Sequence, residues 1–206
     1  MVREKADASK RRERQAWGLS GALFVQVSSP TITTSKDDQT LWGNGAATAN
    51  KRTIDGSMLY PGAVVSIAQR GILTTAANQL LTMKISLLVP PLPPPPPAPS
   101  PPAPPPLVTA TWLFEKALNN AYWELDVQIT FRTSAAAGTV MVNGRFCYAE
   151  SNIVANGIPP LLRVQPLSGE APLATNGPLL VDTKVVWGAA NNLITFIPSF
   201  GTITIT

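Results

Sequence analysis

The chain contains no histidine. That removes the commonest general base, the usual serine and cysteine triads, and most zinc sites. It contains a single cysteine, Cys147, so no internal disulfide can form and nothing argues for an oxidising compartment. With neither a histidine nor a second thiol beside it, Cys147 reads as an inert strand residue. Charge is scarce too: Asp, Glu, Lys and Arg make up 14% of the 206 residues, against roughly 25% in ordinary soluble domains. A surface so poor in charge tends to be covered, and an oligomer or a larger assembly is the simplest cover. No apolar run approaches the ~20 residues of a membrane-spanning helix, and residues 1–16 lack the apolar stretch of a secretory signal. The expectation is a chain that is made and stays soluble inside a cell until it is packaged into something, with no membrane partner. P-loops, glycine-rich dinucleotide turns and EF-hand loops are all missing. No enzyme, no cofactor and no metal site is therefore expected.

What charge there is lies unevenly. Residues 1–16 hold six basic groups (Arg3, Lys5, Lys10, Arg11, Arg12 and Arg14) against Glu4, Asp7 and Glu13. That is +3 of the formal +4, leaving +1 for the other 190 residues. Duplex binders usually present a basic face, so a nucleic-acid-binding body is not expected, and contact with phosphate is left to the arm alone. Residues 1–20 read as a basic N-terminal arm ending near Trp17, with no apolar stripe to dock on its own core. Its functional reading is an anchor onto a neighbouring subunit or an acidic surface, and its bland reading is a solvated terminus.

From residue 21 onward the chain reads as strands and turns. Apolar residues make up 45% of the composition, enough for one core. Short runs rich in Val, Ile and Thr are punctuated by Gly, Pro and Asn. Strands are predicted at 23–27, 32–34, 63–73 (entered through Pro61-Gly62), 80–89, 122–132, 139–148, 179–187, 193–197 and 202–206. The strongest is 122–132: Trp123, Leu125, Val127, Ile129 and Phe131 alternate with Glu124, Asp126, Gln128, Thr130 and Arg132, five consecutive matches to a period of two. Val140, Val142, Phe146 and Tyr148 supply a partner across a short loop at 133–138, an antiparallel hairpin. A helical turn is expected only around 114–121, and 149–178 reads as one long loop.

Residues 90–106 hold 13 of the 21 prolines, including Pro93, Pro94, Pro95, Pro96 and Pro97. Proline fixes φ and donates no hydrogen bond, so this insertion cannot join a ladder and is expected as polyproline II. Straight, it would reach roughly 50 Å at ~3.1 Å per residue, so it must either cross the domain and bend or project and return. Its functional reading is a stiff strip against a neighbouring subunit; its bland reading is a passive spacer.

Two constellations merit weighing as chemistry. Glu124 and Asp126 lie two apart on one strand face, roughly 6.5–7 Å between Cα atoms, a spacing that a glycosidase can use; solvated charge on a polar face is the bland alternative. Trp17, Trp42, Trp112, Trp123 and Trp187 are available for a sugar platform, although three of them fall in strand-like runs that favour the core.

The order of segments resembles the jelly-roll domain of tailed-phage virion proteins: minor structural, head-decoration or tail-associated. The residues that carry the likeness are Tyr-Pro-Gly at 60–62, Gly-Ile-Leu-Thr-Thr at 71–75, Leu-Leu-Thr-Met-Lys-Ile at 80–85, the two strands of the 123–148 hairpin, Asp-Thr-Lys-Val-Val-Trp-Gly at 182–188, Asn191-Asn192 and Ile194-Thr195. The likeness covers residues 40–206 and breaks at 90–106 and 149–178. It implies an all-β jelly roll or β-sandwich and a capsid cement or decoration protein on the virion surface. The partners so implied are the major capsid protein and sister copies in a homotrimer. The alternative it implies is a tail or fibre protein that binds a receptor glycan.

Overall fold

Two-residue alternation dominates the body, and the backbone follows it. The computed structural model describes residues 22–32, 37–50, 52–89, 105–133, 137–150, 161–175, 177–189 and 194–206, with backbone alone at 47–50. These residues are all-β. In chain order the strands are β1 (Ala22–Gln26), β2 (Gln39–Thr40), β3 (Gly45–Asn50), β4 (Thr53–Ile54), β5 (Val64–Thr75) and β6 (Gln79–Leu88). After them come β7 (Val108–Phe114), β8 (Leu118–Thr133), β9 (Thr139–Ala149), β10 (Leu162–Pro172), β11 (Leu179–Trp187) and β12 (Thr195–Ile205). They build two antiparallel sheets, an arrangement compatible with a β-sandwich. One has the order β10-β9-β8-β5-β12-β1-β3; the other has the order β2-β11-β6-β7, with β4 also on β11.

The predicted inward set of β8 is buried throughout: Trp123, Leu125, Ile129 and Phe131 at 0% exposure and Val127 at 2%. Its partner β9 pairs Trp123 with Tyr148 and Phe131 with Val140, and the turn is clipped by the Thr139 N–H donating to Thr133 Oγ1 at 2.9 Å. Aromatic side chains from both sheets meet between them. Trp123 packs on Phe196 with ring centres 4.4 Å apart, Trp112 stacks on Phe146 at 4.9 Å, and Phe114 meets Tyr148 edge-on at 4.9 Å. Such pairs add ~0.5–1.5 kcal/mol each beyond the area they bury. At the other end of the core Phe24 and Trp42 meet edge to face at 5.2 Å.

Several expectations need correcting. The loop expected at 149–178 contains β10, paired with β9 over eleven residues from Leu162–Ala149 to Pro172–Thr139. The helical turn expected at 114–121 is the end of β7, a tight turn and the start of β8, with Asn120 at φ 49°. The strands expected at 193–197 and 202–206 are one strand, β12, whose register slips between Pro198 and Phe200. Phe196 exchanges its backbone bonds with Ile32, so alternation turns the Pro198 nitrogen to that same side, away from β5, where β1 makes no ladder pair with it. The Pro198 carbonyl is used, accepting from Gln26 Nε2 at 2.7 Å. Of the strand expected at 32–34 only Ile32 is described, as a single bridge to Phe196. Val89, expected to face inward, is 59% exposed. The turn expected at Pro61-Gly62 is present, with Gly62 at φ 92°, a value that a Cβ would oppose.

Residues 90–104 lie outside the described residues, but both flanks are clear. β6 and β7 are adjacent antiparallel strands paired from Gln79–Phe114 to Ile85–Val108, and the Leu107 N–H donates to Ile85 O at 2.8 Å. The proline-rich insertion therefore leaves and re-enters the same sheet at neighbouring strands.

Candidate functional site

All the residues singled out for the anchoring arm (Arg3, Lys5, Lys10, Arg11, Arg12, Arg14 and Trp17) lie outside the described residues, as do Pro93, Pro94, Pro95, Pro96 and Pro97 of the contact strip. The described body offers three other places where chemistry or binding can be sought.

The first is the Glu124–Asp126 pair. Period-two alternation puts both on the outer face of β8, and register brings Arg70 of β5 opposite Glu124 and Arg145 of β9 opposite Asp126. Arg145 Nη2 lies 3.6 Å from Glu124 Oε1 and 3.3 Å from Asp126 Oδ2, while Arg70 Nε lies 3.9 Å from Glu124 Oε2. The Tyr122 hydroxyl also donates to Glu124 Oε2, at 3.3 Å. A guanidinium thus stands between the two carboxylates, where a glycosidase would need its sugar. The face is an open sheet rather than a cleft. These groups form an ion-pair ladder across three strands, and the catalytic reading of the pair finds no geometry here.

The second is the set of tryptophans. Trp42, Trp112, Trp123 and Trp187 are all buried, none more than 8% exposed. They fill the space between the sheets, so none of these four can offer a platform to a sugar.

The third is a cleft of about 140 Å³ beside the turn from β7 to β8, lined by Phe114, Glu115, Lys116, Tyr148, Glu150 and Arg163 among others. Drug-sized ligand pockets run to roughly 300–1,000 Å³. Glu150 is already held by Arg163 Nε and by Lys116 Nζ at 3.9 Å. Burial pushes the Tyr148 hydroxyl above its ordinary value of 10.0, with Arg163 pulling the other way. The cleft is a small, internally neutralised corner of the sheet edges.

Cys147 sits on the outer face of β9, between Glu124 on β8 and Val164 on β10, and is 3% exposed. Burial raises its thiol above the ordinary 9.0, which Arg145 partly opposes. A buried thiol with a raised pKa is a poor nucleophile. Among the described residues no group of three or more His, Cys, Asp or Glu side chains is placed to hold a metal ion, and no helix is long and apolar enough to cross a membrane.

What sequence reasoning missed is the remainder of that outer face. Ile72 of β5 pairs with Tyr122 of β8 on one side and with Ile197 of β12 on the other, and Leu162 and Val164 of β10 lie against Ala149 and Cys147. Tyr122 had a signal, since it shares the outward parity of Glu124. Leu162 and Val164 fell in a stretch expected to be loop. No protein-family model matches this chain, and no curated protein matches it in sequence.

Proposed function

We propose that this chain is a non-enzymatic structural protein of a virus particle, a capsid cement or decoration protein with a jelly-roll body that binds and stabilises the assembled shell. The observation that carries the reading is the strand order. Eight strands, β1, β2, β5, β6, β7, β8, β11 and β12, fall into the orders β1-β12-β5-β8 and β2-β11-β6-β7. Laid out as one long antiparallel hairpin, the first of the eight pairs with the last, the second with the seventh, the third with the sixth and the fourth with the fifth. That is how a jelly roll is wound from two Greek keys. The remaining pieces are insertions into this scheme: β3 and β4, the proline-rich segment between β6 and β7, and the β9–β10 hairpin strands before β11.

Fold alone does not fix a role. What supports the structural role is that Glu124, Asp126 and Glu150 are engaged in ion pairs and that the four described tryptophans pack in the core. Homotrimerisation belongs to the same proposal, as does a location on the capsid surface with the major capsid protein as partner. The basic arm and the proline-rich segment are proposed to staple neighbouring subunits, and a protein that binds only the assembled shell stabilises it by mass action. The four described tryptophans are interior, so the fibre alternative would draw its recognition aromatics from the exposed Tyr60, Tyr122 and Phe200. The test is copy number in purified particles by densitometry. Cement at shell junctions requires on the order of hundreds of copies per particle; a handful of copies would overturn it.

A further inference from the structure

We propose that the outer face of the seven-stranded sheet, over β5, β8, β9, β10 and β12, docks face to face on a second copy of this chain. The inference rests on the assembly reading above for its expectation that copies meet. It adds to that reading a particular surface and a two-fold contact, which is compatible with three-fold assembly elsewhere on the molecule.

The face carries an exposed apolar band beside its paired charges. Leu162, Val164, Tyr122, Ile72 and Phe200 are between 39% and 57% exposed, and register sets them on β10, β8, β5 and β12, with the buried Ala149 and Cys147 of β9 continuing the band between β10 and β8. The outer face of the other sheet differs in kind. Its middle carries Thr82 against Thr111 and Lys84 against Thr109, with Lys184 beside Lys84, and its exposed large apolar residues are the single pair Leu80 and Leu113.

The charges on the apolar-banded face point to the occupant. Arg70, Arg132 and Arg145 stand against Glu124, Asp126 and Glu170, giving zero net charge, and each arginine lies 3.3–3.9 Å from an acid of the set. The five strands carry no lysine on this face; the described lysines are Lys84, Lys116 and Lys184. Arginine and aromatic residues are enriched in protein interfaces and lysine is depleted. A neutral face gives a polyanion no purchase, whereas alternating signs complement the same face turned through a two-fold axis. Charges already paired within one copy also lose less on leaving water than bare ones.

The size fits as well. Five strands at ~4.8 Å spacing and about ten residues at ~3.3 Å each present roughly 800 Å², which is about what one partner contributes to a standard interface.

The test is the solution mass of the full-length chain by light scattering or sedimentation equilibrium. One variant is the double substitution Leu162→Lys with Val164→Lys, a second is Ile72→Lys, and Thr109→Lys with Thr111→Lys on β7 is the control. Each is checked for native circular dichroism. The expected result is that either face variant halves the mass, dimer to monomer or hexamer to trimer, with self-association weakened on the order of 100-fold, while the control leaves it unchanged. The proposal is overturned by a wild-type mass that both face variants leave intact, by a control that halves it equally, or by a monomeric wild type. A wild type that associates only once residues 1–20 are removed would give the face to the chain's own arm, and overturns it too. Failure of the shell-binding reading shows separately: few copies per particle with the mass still halving leaves the face contact standing.

Discussion

Gly201→Ala tests whether the inner surface of the seven-stranded sheet is packed as tightly as its geometry implies. Gly201 lies in β12 opposite Gln69 of β5 and beside Gln26 of β1, under the ring of Trp42. A Cβ at this position would stand 2.8 Å from Trp42 Cζ3 and 2.9 Å from Gln26 Oε1. Neither neighbour can move freely, since Trp42 is held edge-on by Phe24 and Gln26 is tied to the Pro198 carbonyl at 2.7 Å. Overpacking of this kind costs ~1–3 kcal/mol, so about 2 kcal/mol is expected. A chain of this length shifts by roughly 2–4 °C per kcal/mol, which puts the fall in Tm at about 4–8 °C. Urea unfolding followed by far-ultraviolet circular dichroism is the suitable assay, because a tryptophan is altered in the second half of the cycle. In a Trp42→Leu background only the Gln26 Oε1 contact at 2.9 Å remains, and Gly201→Ala should there cost about half of what it costs in the wild type. A penalty equal in both backgrounds, or none in the wild type, would refute the packing argument.

Three further outcomes follow from particular groups. Pro166→Thr restores an outward backbone donor on β10 and should raise the high-mass fraction in size-exclusion profiles after prolonged incubation, with thioflavin binding as a second readout; unchanged profiles would count against edge blocking. Replacing residues 90–106 with a short Gly-Ser loop should keep the fold and move the urea midpoint by less than ~1 kcal/mol equivalent, because the Ile85–Val108 pairing that closes the hairpin lies outside the replaced segment; failure to fold would make the insertion part of the scaffold. Stability should decline in alkali. The folded Cys147 thiol titrates above 9.0 chiefly through burial, so the unfolded chain loses that proton first; the stabilisation is whole below pH 9.0 and is lost as pH rises through the folded value. Tyr148 repeats this from 10.0, and Cys147→Ala should remove the first part of the decline in urea midpoints.

How much of this was legible depended on burial. β8 and β9 were readable because each has one dry and one wet face, which is what an alternating sequence records. β10 was not: only Leu167 of its eleven residues is buried, so the strand is held by backbone bonds to β9 and its sequence shows proline, glycine and serine instead of a pattern. β12 read as two strands because Pro198 to Gly201 has the composition of a turn, and the bulge absorbs it without breaking the sheet. The apolar outer band was invisible for another reason. Its members come from strands far apart in the chain, and only register, a tertiary fact, makes them neighbours. The ion-pair ladder was half legible, since Glu124 and Asp126 were seen as a pair but Arg70 and Arg145 reach them only across strands.

Pro166 and Pro172 of β10 bear on how this sheet edge can grow. The Glu150 N–H bonds Leu161 O, and the Leu173 N–H bonds Gly138 O, at the two ends of the β9–β10 ladder. Both bonds use odd-numbered residues of this edge, so the antiparallel pattern turns the N–H positions of the even-numbered residues outward. Pro166 and Pro172 occupy two of those positions. They disturb nothing on the β9 side and withhold donors from any strand that would add on the other, which is how natural edges are blunted. The facing edge, β7, has β10 lying against it. This side of the two sheets is thus closed to edge-to-edge growth, while the band around Tyr122 and Ile72 is left uncovered. Under the assembly proposed above, that division steers association on this side from backbone edges, where one added strand exposes the next, to a sheet face, where a two-fold contact closes on itself.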